Sequence, residues 1–384
     1  MSKKIGTKCV HSGNIVDDKF HGSISPIYPA TTYDYRKTDT YPRYFNTPNQ
    51  LALSKKISDL ESAEDSILFG SGLGAVSSTM FSFLKSGDHV ILHDSIYGGT
   101  INLVNTEFKK FNIDFSYIDI NDVDLLKSTI KKNTRIIYFE TPTNPLLQIV
   151  DISLISSVAK ENDIISIIDN TFASPINQNP INFGIDLVIH SATKYLGGHS
   201  DILAGSVSGN TVHIEKIKKS GINYGANLSD YTVWLLERSI KTLSVRVNAQ
   251  NQNALDLANF LDESPLIKKV YYPGLKNHLS HEIASRQMIG FGGMMSFEVI
   301  DKINSEDFVS DLMIISPTMS LAGVESSITS PSKTSHKKVD PQIRKKLGIS
   351  DNLLRFSVGT VSYTHLRAHE TGRNGGWRGG GGKK

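Results

Sequence analysis

From about residue 50 onward, short apolar runs alternate with longer segments whose apolar residues recur every three or four positions. The runs SILF, HVIL, FSYID, RIIYF, IISIID and DLVIH have strand length, and most are apolar on both faces. Strands of that kind belong to a parallel sheet covered by helices on either side. Between them the spacing predicts helices over 77–84, 100–111, 122–132 and 152–161. Strand–helix alternation repeated six times predicts an α/β fold with a mainly parallel sheet. After about Asp230 the texture changes. Residues 230–263 read as one long helix, with Leu235, Leu236, Ile240, Leu243 and Val247 at helical spacing, and the rest mixes short strands and helices. The expected layout is a large domain over 51–250 and a smaller α+β domain over 251–360. Ahead of them, residues 1–50 have weak periodicity and four prolines (Pro26, Pro29, Pro42, Pro48), which reads as an extended arm.

The last 24 residues, 361–384, fit neither pattern. Seven are glycine, and five cations (Arg367, Arg373, Arg378, Lys383, Lys384) face one carboxylate, Glu370. Such a segment cannot bury a core and is expected to be disordered. Its VSYTHLRAHET stretch resembles translated adapter sequence more than a natural protein end, so the native terminus is expected to differ. A basic arm for nucleic acid is the weaker alternative, because aromatic interleaving and a binding motif are both lacking. Without this tail the formal net charge falls from +3 to −1, so the body is near neutral and does not point to nucleic acid. The single cysteine, Cys9, excludes an internal disulfide and any cysteine-based metal cluster, which suits a reducing cytoplasm. The opening MSKKIGTKCVHSG lacks an apolar core that would make it a secretory signal, and no run approaches the length of a membrane span.

Candidate chemistry starts at HSATKYLGGHSD, residues 190–201. Lys194 follows an apolar strand and is flanked by small residues, where desolvation would make its amine a nucleophile. Alone it reads equally as a loop lysine in a salt bridge. Asp169, in DNTFASP, stands at the C-terminal end of the run IISIID, where α/β folds place ligands, and would suit a protonated ring nitrogen. FGSGLGA at 69–75 follows a strand and opens a helical segment, as a phosphate cradle does. The same loop, with Asp94 about 20 residues on, also fits a dinucleotide site imperfectly, so a nicotinamide-dependent oxidoreductase stays open. So does a scaffold without activity. Ser191 and Thr193 could reach one phosphate, and Tyr97 in IYGGT could stack on a planar ring. Together these groups describe a pyridoxal phosphate site.

The motifs SGLGA, IYGGT, ETPTNP, DNTFASP, HSATKYLGGHSD and LLRFSVG, all in family order and over about Gly6 to Gly359, resemble the pyridoxal-phosphate enzymes of cysteine and methionine metabolism. This transsulfuration family includes cystathionine γ-synthase, γ-lyase and β-lyase. The resemblance implies the type-I pyridoxal-phosphate transferase fold, with a seven-stranded, mainly parallel sheet. It also implies that Lys194 holds the cofactor aldehyde and later moves protons, and that Asp169 pairs with the ring nitrogen. Tyr97 would stack on the ring and Asn144 would bond its phenolic oxygen. Gly72, Leu73, Ser191 and Thr193 would hold the phosphate. Tyr41 and Arg43 would reach the phosphate of a neighbouring subunit in a homo-oligomer, by resemblance a tetramer built as a dimer of dimers. Arg355 would clamp the substrate carboxylate with help from Ser320, a task that suits guanidinium geometry.

The implied reaction is elimination or replacement at the γ-carbon of cystathionine or an activated homoserine, with cysteine as the thiol partner. Cystathionine β-lyase is the alternative within the family. Glu325 in GVES and the GHSD at 198–201 match the γ-acting cystathionine enzymes. Asn102 stands where many γ-acting members carry arginine, Thr40 replaces a frequent acid, and NTP at 46–48 replaces NPT. These departures bear on the distal end of the substrate, not on the cofactor.

Overall fold

In the computed structural model, which describes residues 4–335, 337, 342, 344 and 347–361, the apolar runs become strands almost residue for residue. They are β1 (Asp65–Phe69), β2 (His89–His93), β3 (Asp114–Ile118), β4 (Thr134–Glu140), β5 (Ile165–Asp169) and β6 (Leu187–His190). A seventh strand, β7 (Gly205–Gly209), completes a sheet of order β1-β7-β6-β5-β4-β2-β3. Pairing is parallel from β6 through β3, and β7 runs antiparallel to both β1 and β6. Successive side chains leave opposite faces of each strand. Thus Ile136 and Tyr138 of β4 pack in one apolar cluster, while Ile137 and Phe139 pack in the other. Two buried faces explain why these runs are apolar throughout.

The pattern of apolar residues does not announce β7, whose sequence is GSVSG. Small residues there permit close backbone approach. A Cβ built on Gly205 would lie 2.1 Å from the Ser71 carbonyl oxygen. The helices also differ from expectation in their ends. The first begins at Gly72 and runs to Phe83, because Ser71 caps it by accepting the Gly74 amide, although its first turn has no apolar spacing. The segment 100–111 splits into the helix Gly98–Glu107 and a 3₁₀ turn, Phe108–Phe111. The expected helix over 122–132 is only Val123–Thr129, while Ile152–Glu161 matches its prediction. Residues 230–263 form two helices, Asp230–Ile240 and Leu243–Asp262. At the break the Thr242 amide bonds back to Ser239 and its hydroxyl to the same carbonyl, a local competitor of the helical ladder.

The chain divides into two units. One contains the residues up to Asn144, Gln148–Val245 and Glu282–Gly290; the other contains Pro145–Leu147, Arg246–His281 and the described residues from Phe291. The second unit holds a five-stranded sheet of order β10-β11-β12-β9-β8, from β8 (Ile267–Tyr271), β9 (Met294–Val299), β10 (Ser316–Pro317), β11 (Ser327–Thr329) and β12 (Leu353–Ser357). Its pairs are antiparallel apart from β10 with β11. The architecture is therefore α/β, with a mostly parallel seven-stranded sheet and a second, smaller sheet. Near the N-terminus, Ile5–His11 is helical, while residues 12–41 contain no helix or strand. Residues 362–384, nearly all of the expected disordered tail, lie outside the described residues. Among the described residues no helix is long and apolar enough to cross a membrane.

Candidate active site

Parallel strands deliver their C-terminal ends to one edge, and the segments leaving that edge carry the candidate groups. After β2 comes Tyr97, after β4 comes ETPTNP with Asn144, at the end of β5 stands Asp169, and four residues beyond β6 lies Lys194. Lys194 sits in a turn closed by three backbone bonds: its own amide to Ser191, Gly197 to Ala192, and Gly198 to Lys194. It is half-buried, and Asn144 is buried.

The glycine loop and the lysine loop meet directly. A Cβ built on Gly72 would lie 2.7 Å from the Ser191 Cβ and 2.9 Å from its hydroxyl oxygen. Only glycine fits there, and the meeting places the first turn of the helix Gly72–Phe83 against Ser191. Leu73, in that same turn, is 38% exposed. The Ser191 amide donates to the Thr171 hydroxyl (2.8 Å), and the Thr171 amide donates to Asp169 Oδ1 (2.9 Å). A single chain of bonds thus runs from Ser191, beside the glycine loop, to the strand-end acid. Thr193 is engaged differently. Its hydroxyl donates to the Ala204 carbonyl (3.1 Å) and accepts the Ala204 amide (3.0 Å), which leaves one lone pair. To serve a phosphate oxygen, its proton would have to turn away from Ala204.

Tyr97 is 51% exposed, and its ring folds over Gly99, where an added Cβ would come within 2.3 Å of Cε1. Its amide donates to Glu140 Oε1 at 2.7 Å. Glu140 in turn lies directly opposite Asp169 in the β4–β5 ladder. Burial, and then the neighbouring Asp169, pushes the Glu140 carboxyl well above the usual carboxylate range. Burial also raises Asp169, but the Thr171 hydroxyl and amide, and more weakly His190, oppose that shift. Both carboxyls are thus pushed toward their neutral forms, and the Thr171 donors oppose that push at Asp169. Behind them, Glu61 bonds the His190 imidazole. Asn170, adjacent to Asp169, exchanges bonds with Gln178, donating to its carbonyl (3.0 Å) and accepting from its amide (2.9 Å). These buried contacts hold the residues flanking Asp169 and Lys194.

The second unit collects a different set. Arg355, 4% exposed, sits at the middle of β12 opposite Ser296 on β9 and Thr329 on β11. Its Nη2 donates to the Met319 carbonyl (3.0 Å), which brings Ser320 into the same turn. The Ser320 carbonyl accepts from Ser327 (3.3 Å). Glu325 is exposed on the following loop. A Cβ on Gly359 would lie 2.3 Å from the Val324 oxygen, and the Thr360 amide bonds that oxygen at 2.8 Å.

Tyr41 and Arg43 form a separate cluster in the first unit. Arg43 donates to the Ile222 carbonyl (3.0 Å) and its guanidinium lies over the rings of Tyr41 (5.5 Å) and Tyr44 (5.6 Å). Asn102 is exposed on the helix Gly98–Glu107. Glu140, Thr171 and His190 carry no sequence signal of their own. All three lie inside motifs quoted for other members, ETPTNP, DNTFASP and HSATKY, and nothing in their spacing marks them.

The groups gathered in the first unit fit pyridoxal phosphate. A helix start pressed against Ser191 suits a phosphate, an anionic carboxylate suits a pyridine nitrogen, and a turn lysine suits an aldehyde. Comparisons with known proteins agree. A family model described as Cys/Met metabolism PLP-dependent enzyme matches residues 6–368. A cystathionine beta-lyase of Lactococcus lactis subsp. cremoris is 44% identical, over 94% of this chain and 96% of its own length. A cystathionine gamma-lyase of Bacillus subtilis is 38% identical, over 94% and 95%. The crystal structure of cystathionine gamma-lyase from Lactobacillus plantarum, complexed with L-serine, superposes with a TM-score of 0.92 at 38% identity, covering 96% of this chain and 98% of that one. With its fold, its strand-edge acid and lysine, and full-length relatives all in agreement, the chain belongs to the pyridoxal-phosphate-dependent enzymes of cysteine and methionine metabolism, and it is a lyase of that family.

Proposed function

We propose that this lyase cleaves a carbon–sulfur bond of cystathionine, with the γ-carbon bond as its main target and the β-carbon bond as the second reading. The observation that carries the proposal is full-length similarity to cystathionine lyases, joined to a buried arginine suited to an amino-acid carboxylate. The γ reading is supported by the resemblance at Glu325 and by the solved γ-lyase of the same fold. The β reading is supported by the higher identity to the Lactococcus lactis enzyme. The family's cofactor is pyridoxal phosphate, so the nicotinamide reading is dropped.

Pyridoxal phosphate, when bound, supplies the electron sink that acidifies the substrate α-proton. In our reading the chain does the rest. Lys194 Nζ takes that proton as general base and returns it during cleavage. Asp169 stays anionic through the donors of Thr171 and keeps the ring nitrogen protonated. The start of the helix Gly72–Phe83 and Ser191 hold the phosphate, Tyr97 covers the ring, and Asn144 positions its oxygen. Arg355 and Ser320 orient the substrate carboxylate. Tyr41 and Arg43 act on the site of a neighbouring copy, so the active unit is at least a dimer.

The test is incubation of the purified holoenzyme with cystathionine. Cysteine, 2-oxobutyrate and ammonia mark γ-cleavage; homocysteine, pyruvate and ammonia mark β-cleavage. Release of neither 2-oxo acid would sink the proposal, and cystathionine formed from an activated homoserine ester plus cysteine would point to synthesis instead.

A further inference from the structure

A second carboxylate beside Asp169 needs an explanation that the roles above do not supply. Glu140 is 7% exposed, and burying an acid next to another acid is costly unless each is paired or hydrogen-bonded. We propose that Glu140 is a positioning residue that ties the placement of Tyr97 to the charge of Asp169. The inference rests on reading Tyr97 and Asp169 as cofactor contacts.

The geometry has two halves. On one side, Glu140 Oε1 accepts the Tyr97 amide at 2.7 Å. Tyr97 is the residue that starts the helix Gly98–Glu107, so its amide is among the donors that the helix itself cannot satisfy. This bond fixes the backbone from which the Tyr97 ring projects. On the other side, Glu140 and Asp169 are direct partners in the parallel ladder, on strands about 4.8 Å apart. One side chain therefore accepts from the ring's backbone and stands next to the ring's counter-ion as a neutral acid. Losing that proton would set two anions side by side.

The groups facing this pair are Tyr138 on β4, Thr171 after β5, and His190 at the end of β6. Tyr138 is itself pushed up by burial and then by Asp169 and Glu140. His190, bonded to Glu61, favours the Asp169 anion.

The experiment compares the parent holoenzyme with Glu140→Gln and Glu140→Ala. It reads cofactor release during dialysis and the visible absorbance of the bound cofactor from about pH 6 to 10, a span above the ordinary carboxylate range. Glutamine keeps an oxygen for the Tyr97 amide and is neutral at every pH, so it mimics the protonated acid. Glu140→Gln is expected to release cofactor within about twofold of the parent rate at neutral pH, and to lack one alkaline step of the absorbance profile. Glu140→Ala is expected to release it about tenfold faster, the loss that follows when a buried donor is orphaned. Glu140→Gln releasing cofactor tenfold faster, or keeping the parent's alkaline profile unchanged, would overturn the inference even if Glu140→Ala failed to fold. Asp169→Asn and Tyr97→Ala separate this from the underlying reading. If both keep the parent's cofactor retention and spectrum, the site reading fails. If both lose them while the Glu140 variants match the parent, only the Glu140 proposal fails.

Discussion

The two units bury charge in opposite senses. At the strand edge of the first, burial sets Glu140 beside Asp169 and pushes both carboxyls above their ordinary range. In the second, burial encloses Arg355 on β12, and a guanidinium cannot give up its proton at any ordinary pH. It is held by acceptors instead, the Met319 carbonyl among them. The first unit can therefore tune its chemistry with pH, while the second offers a fixed charge. That contrast suits one unit for cofactor chemistry and the other for grasping a carboxylate.

The strongest way to break this division is Lys194→Ala. We expect turnover, read as 2-oxo acid released from cystathionine, to fall by about 10³-fold or more, the scale of a lost general base. Near-normal turnover would remove the chemistry from the first unit. Next comes Arg355→Lys, which keeps the charge and loses the forked geometry. An expected drop of about 10- to 100-fold in kcat/KM, with the cofactor spectrum unchanged, would confine Arg355 to substrate binding. A changed spectrum would erase the contrast between the units. Gly72→Ala is the reciprocal case. Its Cβ would press on Ser191 at 2.7 Å, so cofactor release should quicken about tenfold, through a clash costing on the order of 1–3 kcal/mol, with KM for cystathionine steady.

The smallest expected effect concerns stability and the sign of burial. Lys56, fully buried, donates to the Cys9 carbonyl (3.2 Å) and Asn14 Oδ1 (3.0 Å), and burial brings its amine down to about 8. Between about 8 and its ordinary 10.5, the unfolded chain binds more protons at this site than the folded one. Stability should therefore rise with pH across that window. Glu140, raised by burial, works oppositely, with stability falling as pH climbs above the usual carboxylate range. Urea unfolding at pH 8, 9 and 10 should show a shallower upward slope for Lys56→Met than for the parent. An unchanged slope would mean that burial does not set this lysine's charge.

Much of the candidate site is legible in the sequence. Lys194, Asp169 and Tyr97 stand just past apolar runs, and a run buried on both faces places its end at the ligand edge of a parallel sheet. Gly72 could be read as a cradle, but not as the residue pressed against Ser191, some 120 positions away. Glu140 and Thr171 were silent, since an acid after an apolar run and a threonine in a turn have many ordinary uses. Their roles depend on which strand lies beside β4 and which loop lies beside β5.

Local pattern alone thus determined the six apolar strands, the α/β class and the chemical kinds of group at the sheet edge. It could do so because side-chain period and turn chemistry are short-range properties of the chain. Tertiary structure alone decided that GSVSG is a strand, inserted antiparallel between β1 and β6. It also decided that residues 230–263 break at Lys241 and Thr242, and that Glu140 faces Asp169. Those outcomes depend on close backbone approach, on strand order and on burial by residues far away in sequence. The burial that raises Glu140 comes from neighbours that only folding brings to it.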